Sequence, residues 1–303
     1  MPSLKVIRRR ISSTKATQKI TRAMKMVAGA RLTRAQQRIL AMRPYAVKTA
    51  EVLQSVAATM ATADSQTEPV HPLLAIRPEK KALFLVFSAD RGLCGALNTN
   101  INKSTERAWQ EKAASEVQVT FATLGRKGRE YLTRRHGEVV RDFARIYDGI
   151  DLDKARVVSS WLVPRFQKAE CDSVYFVYNE FKSALTQRVV VERLLPLAVG
   201  TSAGGSVTEI GSQGMAPSDF LFEPNQHALL ERLVPMYVEI SVYRALLESQ
   251  ASFFGAQMTA MDAATRNAKD MISNYTLMYN RARQAAITKE LMEIIGGAEA
   301  LKA

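Results

Sequence analysis

Met258, Met261, Thr265, Ala268, Ile272, Tyr275, Tyr279, Ala282 and Ala286 follow one another at steps of 3, 4, 3, 4, 3, 4, 3 and 4. That alternation is the spacing of a helix that lays one stripe against a partner helix, kept up for about four heptads. After Pro224 the next proline is Pro235, and none follows it. The stretch beyond Pro235 is therefore predicted to be a single helix of about 60 residues, roughly 90 Å long at 1.5 Å per residue. A compact domain has no use for a helix of that length, so the chain must contain an extended helical element. Alanine and methionine along the stripe imply that the partner comes close.

The other end of the chain supplies the partner. Ile39, Met42, Ala46, Ala50, Leu53, Ala57 and Met60 keep a three-to-four rhythm, as do Leu4, Ile7 and Ile11, and then Ile20, Met24 and Val27. This predicts one long helix over residues 3–60, with a kink or join at Pro44. Two stripes on one polypeptide favour a monomeric antiparallel coiled coil over a dimer.

The N-terminal helix is also where the charge lies. Residues 1–50 hold 13 Lys and Arg and no Asp or Glu, which leaves 29 basic against 29 acidic side chains in the other 253 residues. An acid-free basic helix suits a targeting peptide, a nucleic-acid contact or a face turned to an acidic protein partner. Helical periodicity that runs on past residue 30 argues against a cleaved targeting peptide. Aromatic residues, 7% of the chain, form no stacking platform interleaved with cations, which weakens single-strand nucleic-acid binding.

The middle of the chain changes character. "KALFLVFSA" (81–89) is a continuous apolar run of the kind found in buried parallel strands. "VQVTFATLG" (117–125), "DSVYFVYNEF" (172–181) and "TQRVVVERLLPLAV" (186–199) are also strand-like. Helical stretches at 98–114, 126–136 and 153–169 alternate with them. The predicted fold class is mixed α+β and α/β: a long antiparallel coiled coil of N- and C-terminal helices with a small central Rossmann-like α/β domain. The boundaries follow as helix 1–62, linker 63–74, α/β domain 75–200, a Gly/Ser-rich flexible loop 201–218 and helix 219–303.

Chemistry is sparse. Cys94 and Cys171 form no disulfide framework, and His71, His136 and His227 lack metal-ligand spacing, so no metal or cofactor is expected. "FSADRGLCGALN" (87–98) sits at a strand-to-helix turn but matches no phosphate-binding glycine pattern; Gly92 and Gly95 read as turn and packing glycines. Cys94 lacks a nearby base in sequence, and the basic turn "GRKGRE" (125–130) reads as a solvated helix start. No apolar run reaches 18 residues, so no transmembrane helix is predicted. No catalytic residue is assigned.

Four segments carry a resemblance: "IRRRISSTKATQKITRAMKMVAGARLTRAQ" (7–36), "SADRGLCGALN" (88–98), "FLFEP" (220–224) and the stretch from Met258 to Leu301. Together they resemble the gamma subunit family of the rotary F-type ATP synthases. Ala96 stands where that family commonly has a second glycine, and the cysteine-bearing insert of plant plastid forms is absent. The resemblance implies a non-catalytic rotor stalk. Its coiled coil would turn inside a hexamer of alpha and beta subunits, and its foot would meet the epsilon subunit and the membrane c ring. Proton flow through that ring would drive the shaft and change the catalytic sites in turn.

The same resemblance implies contacts to beta subunits at Arg283, Gln284, Thr288 and Glu290, and on the facing helix at Met24 and Lys25. Phe222 and Glu223 are implied contacts to the c ring. The mixed segment after Ala286 is then expected to be surrounded by other subunits, with Gly296 and Gly297 ending the helix. A start at Met1 with family-like residues from Ile7 suggests a bacterial protein on the cytoplasmic face of the inner membrane. The reading from another class is a basic coiled coil that binds nucleic acid; a third is a nucleotide enzyme built on residues 75–200.

Overall fold

The computed structural model describes residues 3–63, 71–197 and 226–300. The expected flexible loop at 201–218, most of the linker, and Phe222 and Glu223 lie outside the described residues. In chain order the elements are α1 (Leu4–Ala63), a 3-10 turn (Pro72–Leu74), β1 (Lys81–Phe87), α2 (Leu97–Ala114), β2 (Gln118–Leu124), α3 (Arg126–Arg134), β3 (Val139–Asp142), α4 (Leu152–Gln167), β4 (Ser173–Phe181), β5 (Gln187–Leu195) and α5 (Gln226–Ala300). Contacts group them into two units, Met1–Gly29 with Gln257–Ala303, and Ala30–Ala256. Both long helices contribute to each unit.

The second unit holds a five-stranded sheet in the order β3-β2-β1-β4-β5. The first four strands are parallel, and β5 pairs antiparallel with β4. Apolar runs dictate this arrangement: Ala82 to Phe87 are all buried, so β1 needs cover on both faces and takes the centre of the sheet. One face is closed by α2 and α3, where Phe84, Phe121, Ile101 and Leu132 meet. The other is closed by α4 through Ala155, Val158, Leu162 and Phe166, and by α5 through Leu230, Val234, Val238, Val242 and Leu246. Between Leu230 and Ser252, α5 buries residues on nearly every side, as a core helix must.

Three expectations need correcting. Pro235 lies inside α5, so the unbroken helix is 75 residues, longer than the run of about 60 expected beyond the proline. Gly296 and Gly297 do not end it; neither takes the left-handed conformation that caps a helix, and α5 continues to Ala300. Strand β3 was absent from the expected set because its four residues, "VVRD", form a short, half-exposed edge with no apolar run. Pro44 sits within a continuous α1 on its exposed face, where the carbonyl left without a donor can meet water.

Candidate functional site: the paired terminal helices

In the first unit α1 and the end of α5 run antiparallel, and three contacts fix their register. The hydroxyls of Thr21 and Thr265 are 2.9 Å apart. Lys25 Nζ donates to Asp262 Oδ1 at 2.5 Å. Gly29 faces Met258, whose sulfur would lie 3.5 Å from any Cβ placed there. Continued at this register, the start of α1 at Leu4 comes level with Arg283.

The stripe on α5 is the one its spacing predicts. Met261 and Ala268 are buried, and Met258, Thr265, Ile272, Tyr275, Tyr279, Ala282 and Ala286 are half-buried. On α1 the seam departs from the apolar spacing. Its covered positions in this unit are Leu4, Ile7, Ile11, Thr14, Gln18, Thr21, Lys25 and Ala28, a strict alternation of three and four. Ile20 and Val27, expected on the stripe, are 60% and 52% exposed, while Met24 is half-buried at its margin. The heptad phase, set by Ile7, Ile11 and Ala28, overrides local hydrophobicity, and the polar seam residues satisfy themselves. Thr14 donates to the Arg10 carbonyl at 2.9 Å and Thr265 to that of Met261 at 2.7 Å. The same phase continues along α1 within the second unit through Leu32, Ala35, Ile39, Met42, Ala46, Thr49 and Leu53.

Charge on the pair is one-sided. Arg8, Arg9, Arg10, Lys15, Lys19 and Arg22 are exposed and have no acidic partner among the described residues. Lys25 is the exception, and Asp262 is in turn held by Arg266 at 3.1 Å. The hydrogen bond from Lys25, more than the surrounding cations, holds the Asp262 carboxyl below its usual range.

Beyond Ala286 the seam stops. Every residue from Ile287 to Ala298 is exposed, including Ile287, Leu291, Met292, Ile294 and Ile295 at 51% to 72%. Arg283, Gln284, Thr288 and Glu290 stand exposed at the start of this bare stretch. Apolar side chains displayed on an uncovered helix mark a surface that other molecules cover.

The α/β unit offers no comparable site. At the carboxyl ends of β1, β2 and β3, where doubly wound folds bind ligands, there is a cleft of about 410 Å³. Two of its carboxylates are engaged: Arg129 pairs with Asp142 at 2.8 Å, and Asp90 accepts from the Arg126 amide at 3.0 Å. The next amides of α3 are taken as well, Lys127 by the Ala89 carbonyl and Gly128 by Ser88 Oγ at 2.7 Å. That leaves the N-terminus of α3 without donors for a phosphate. Ser88 also donates to the Gly125 carbonyl at 3.0 Å. The glycine requirement falls on Gly125 and Gly128, which touch Ser88, and on Gly95 with its φ of 58°; Gly92 has open space around it and needs no glycine for packing. Cys94 is buried beside Asn98, and burial pushes its thiol up, the opposite of what a nucleophile needs. No group of metal-ligating side chains and no helix long and apolar enough to cross a membrane occurs among the described residues.

Comparisons with known proteins bear on the whole chain. The ATP synthase family model matches residues 3–301. The ATP synthase gamma chain of Sorangium cellulosum (strain So ce56) is 54% identical over 322 aligned positions, covering 100% of both chains. That of Anaeromyxobacter sp. (strain Fw109-5) is 47% identical over 302, again covering 100% of both. Among solved structures, a chain from the Euglena gracilis mitochondrial ATP synthase OSCP/F1/c-ring assembly superposes with a TM-score of 0.65 at 19% identity, covering 98% of this chain and 94% of that one. A chain from the Tetrahymena thermophila mitochondrial central stalk and c-ring gives 0.58 at 23% identity, covering 81% and 99%. The chain belongs to the ATP synthase gamma chain family.

Proposed function

We propose that this chain is the central rotor stalk of a proton-translocating ATP synthase, coupling rotation of the membrane c ring to conformational change at nucleotide sites on an alpha/beta hexamer. It performs no bond chemistry of its own. The observation that carries this reading is the bare end of α5, helical and exposed on every side from Ile287 to Ala298 just where the antiparallel seam gives out. Such a helix fits a sleeve of other subunits and little else. Coupling of this kind needs a stiff element whose contacts differ between states of the site it acts on. The exposed cations of α1 suit passing contacts with acidic loops, because exposed ion pairs are weak, on the order of 1 kcal/mol or less. The nucleic-acid reading of that basic face finds no counterpart among the matched relatives.

Within this reading Arg283 and Gln284 bond a loop of a beta subunit, with Thr288 and Glu290 just beyond. Met24 and Lys25 meet the moving part of beta. An ammonium has three donors, so Lys25 can keep Asp262 and still reach a carboxylate on beta. Phe222 and Glu223 serve the foot on the c ring, beside the epsilon subunit. The functional division is helix 1–62, α/β domain 75–200 and helix 219–303. The protein is peripheral, on the cytoplasmic face of a bacterial inner membrane; its relatives named above are bacterial. Affinity purification of the tagged chain from its native membranes tests the proposal. Alpha and beta subunits should co-elute with ATPase activity, and a chain that elutes alone contradicts it.

A further inference from the structure

Where α5 meets the last two strands, inside the second unit, lies a group of polar side chains that the shaft does not use. Arg244 Nη2 lies 3.1 and 3.0 Å from the two carboxylate oxygens of Glu192 on β5. Tyr178 on β4 donates its hydroxyl to the same carboxylate at 3.0 Å. One turn along α5 from Arg244 is Glu248, whose Oε2 is buried without a hydrogen-bond partner. Glu180, 9% exposed at the end of β4, takes Lys182 at 3.1 Å. Tyr237 of α5 also faces the guanidinium.

Glu192 already engages the one buried guanidinium through Nη2, while Glu248 feels its charge without bonding it, and Glu180 adds a third carboxylate on the Glu248 side. Lys182 serves Glu180. An ionised Glu248 would have the Phe181 amide but no partner at Oε2, and a buried carboxylate so thinly compensated out of water takes up a proton in preference to staying charged.

We propose that Glu248 is a proton-operated latch between α5 and the β4–β5 edge: with its proton it holds the helix against the sheet, and without it the joint loosens. Burial raises the Glu248 carboxyl, Arg244 opposes the rise, Glu180 and Glu192 add to it, and the Phe181 amide opposes it; the balance stands at about 7, against 4.5 for an ordinary glutamate. The protonated form thus belongs to the folded state. The latch contributes fully below pH 4.5, weakens as pH rises toward 7 and is lost above that.

The test is a titration of the full chain labelled with carboxyl-¹³C glutamate, followed by NMR, beside urea unfolding at several pH values. One glutamate signal should titrate with a midpoint near pH 7 and vanish in Glu248→Gln. The urea midpoint of the wild type should fall between pH 5 and 7, and that of Glu248→Gln should change less over the same range. If Glu248→Gln does not fold, Glu192→Gln decides: it frees Arg244 for Glu248, and the high midpoint should drop by about one pH unit or more. A spectrum in which every glutamate titrates below pH 5, or a high midpoint unmoved in both variants, overturns the proposal.

Discussion

Lys25 Nζ lies 2.5 Å from Asp262 Oδ1, joining residues 237 apart in sequence across the two terminal helices. Both side chains are partly exposed, 43% and 34%, so the pair sets alignment more than it adds cohesion. A charged seam position commonly fixes register at some cost in stability. Asp262→Lys alone should lower the melting temperature of the full chain by placing it beside Lys25 and Arg266. Adding Lys25→Asp should recover most of the loss, a recovery that high salt diminishes.

The seam makes a second, opposed pair of expectations. Ala28 is 1% exposed, and Ala28→Leu should overpack the helix pair at a cost of about 1–3 kcal/mol in urea unfolding. Ile20 is 60% exposed despite being larger and more apolar, and Ile20→Ser should change stability by no more than about 0.5 kcal/mol. The reverse ranking would mean the heptad phase is misassigned.

This contrast shows where the fold could be read in the sequence. The α5 stripe was legible because all nine of its positions are apolar, aromatic or threonine, and they keep one phase without interruption. The α1 stripe was legible at Leu4, Ile7 and Ile11 and again at Ile39, Met42, Ala46 and Leu53, but not between, because Thr14, Gln18, Thr21 and Lys25 occupy covered positions while Ile20 and Val27 lie next to them as decoys. Counting heptads back from Leu32 and Ala28 would have reached Lys25 and Thr21. The strands β1, β2 and β4 were legible from their apolar runs; β3 lacks one. The latch at Glu248 was not legible, since no spacing in the chain brings Glu180, Glu192 and Arg244 together before the sheet forms. The bare end of α5 was legible in its mixture of Ala, Ile and charge, and the ending at Gly296 was misjudged because glycine permits a helix stop without imposing one.

Gly125 should tolerate no side chain. Its φ is 115°, and a Cβ would stand 2.1 Å from the Ser88 carbonyl oxygen. Gly125→Ala should cost at least about 2 kcal/mol of unfolding free energy. Gly92→Ala, with open space around it, should be close to neutral. Both are read from urea unfolding of the full chain.

Arg283 and Gln284 are exposed and make no contact that the fold depends on. Replacing both with Ala should leave the circular dichroism of the chain unchanged and lower the ATP turnover of the assembled complex. Full turnover in the double variant would discard their role as contacts to beta.

The central claim is that this chain turns within an alpha/beta hexamer that stands still, and rotation can be watched directly. A cysteine at exposed Lys103 on α2 carries a gold particle, with the native Cys94 and Cys171 buried, and the assembled ATPase is fixed to glass through its beta subunits. On adding ATP the particle should revolve continuously in one direction. ATP hydrolysis that proceeds beneath a motionless particle would contradict the account.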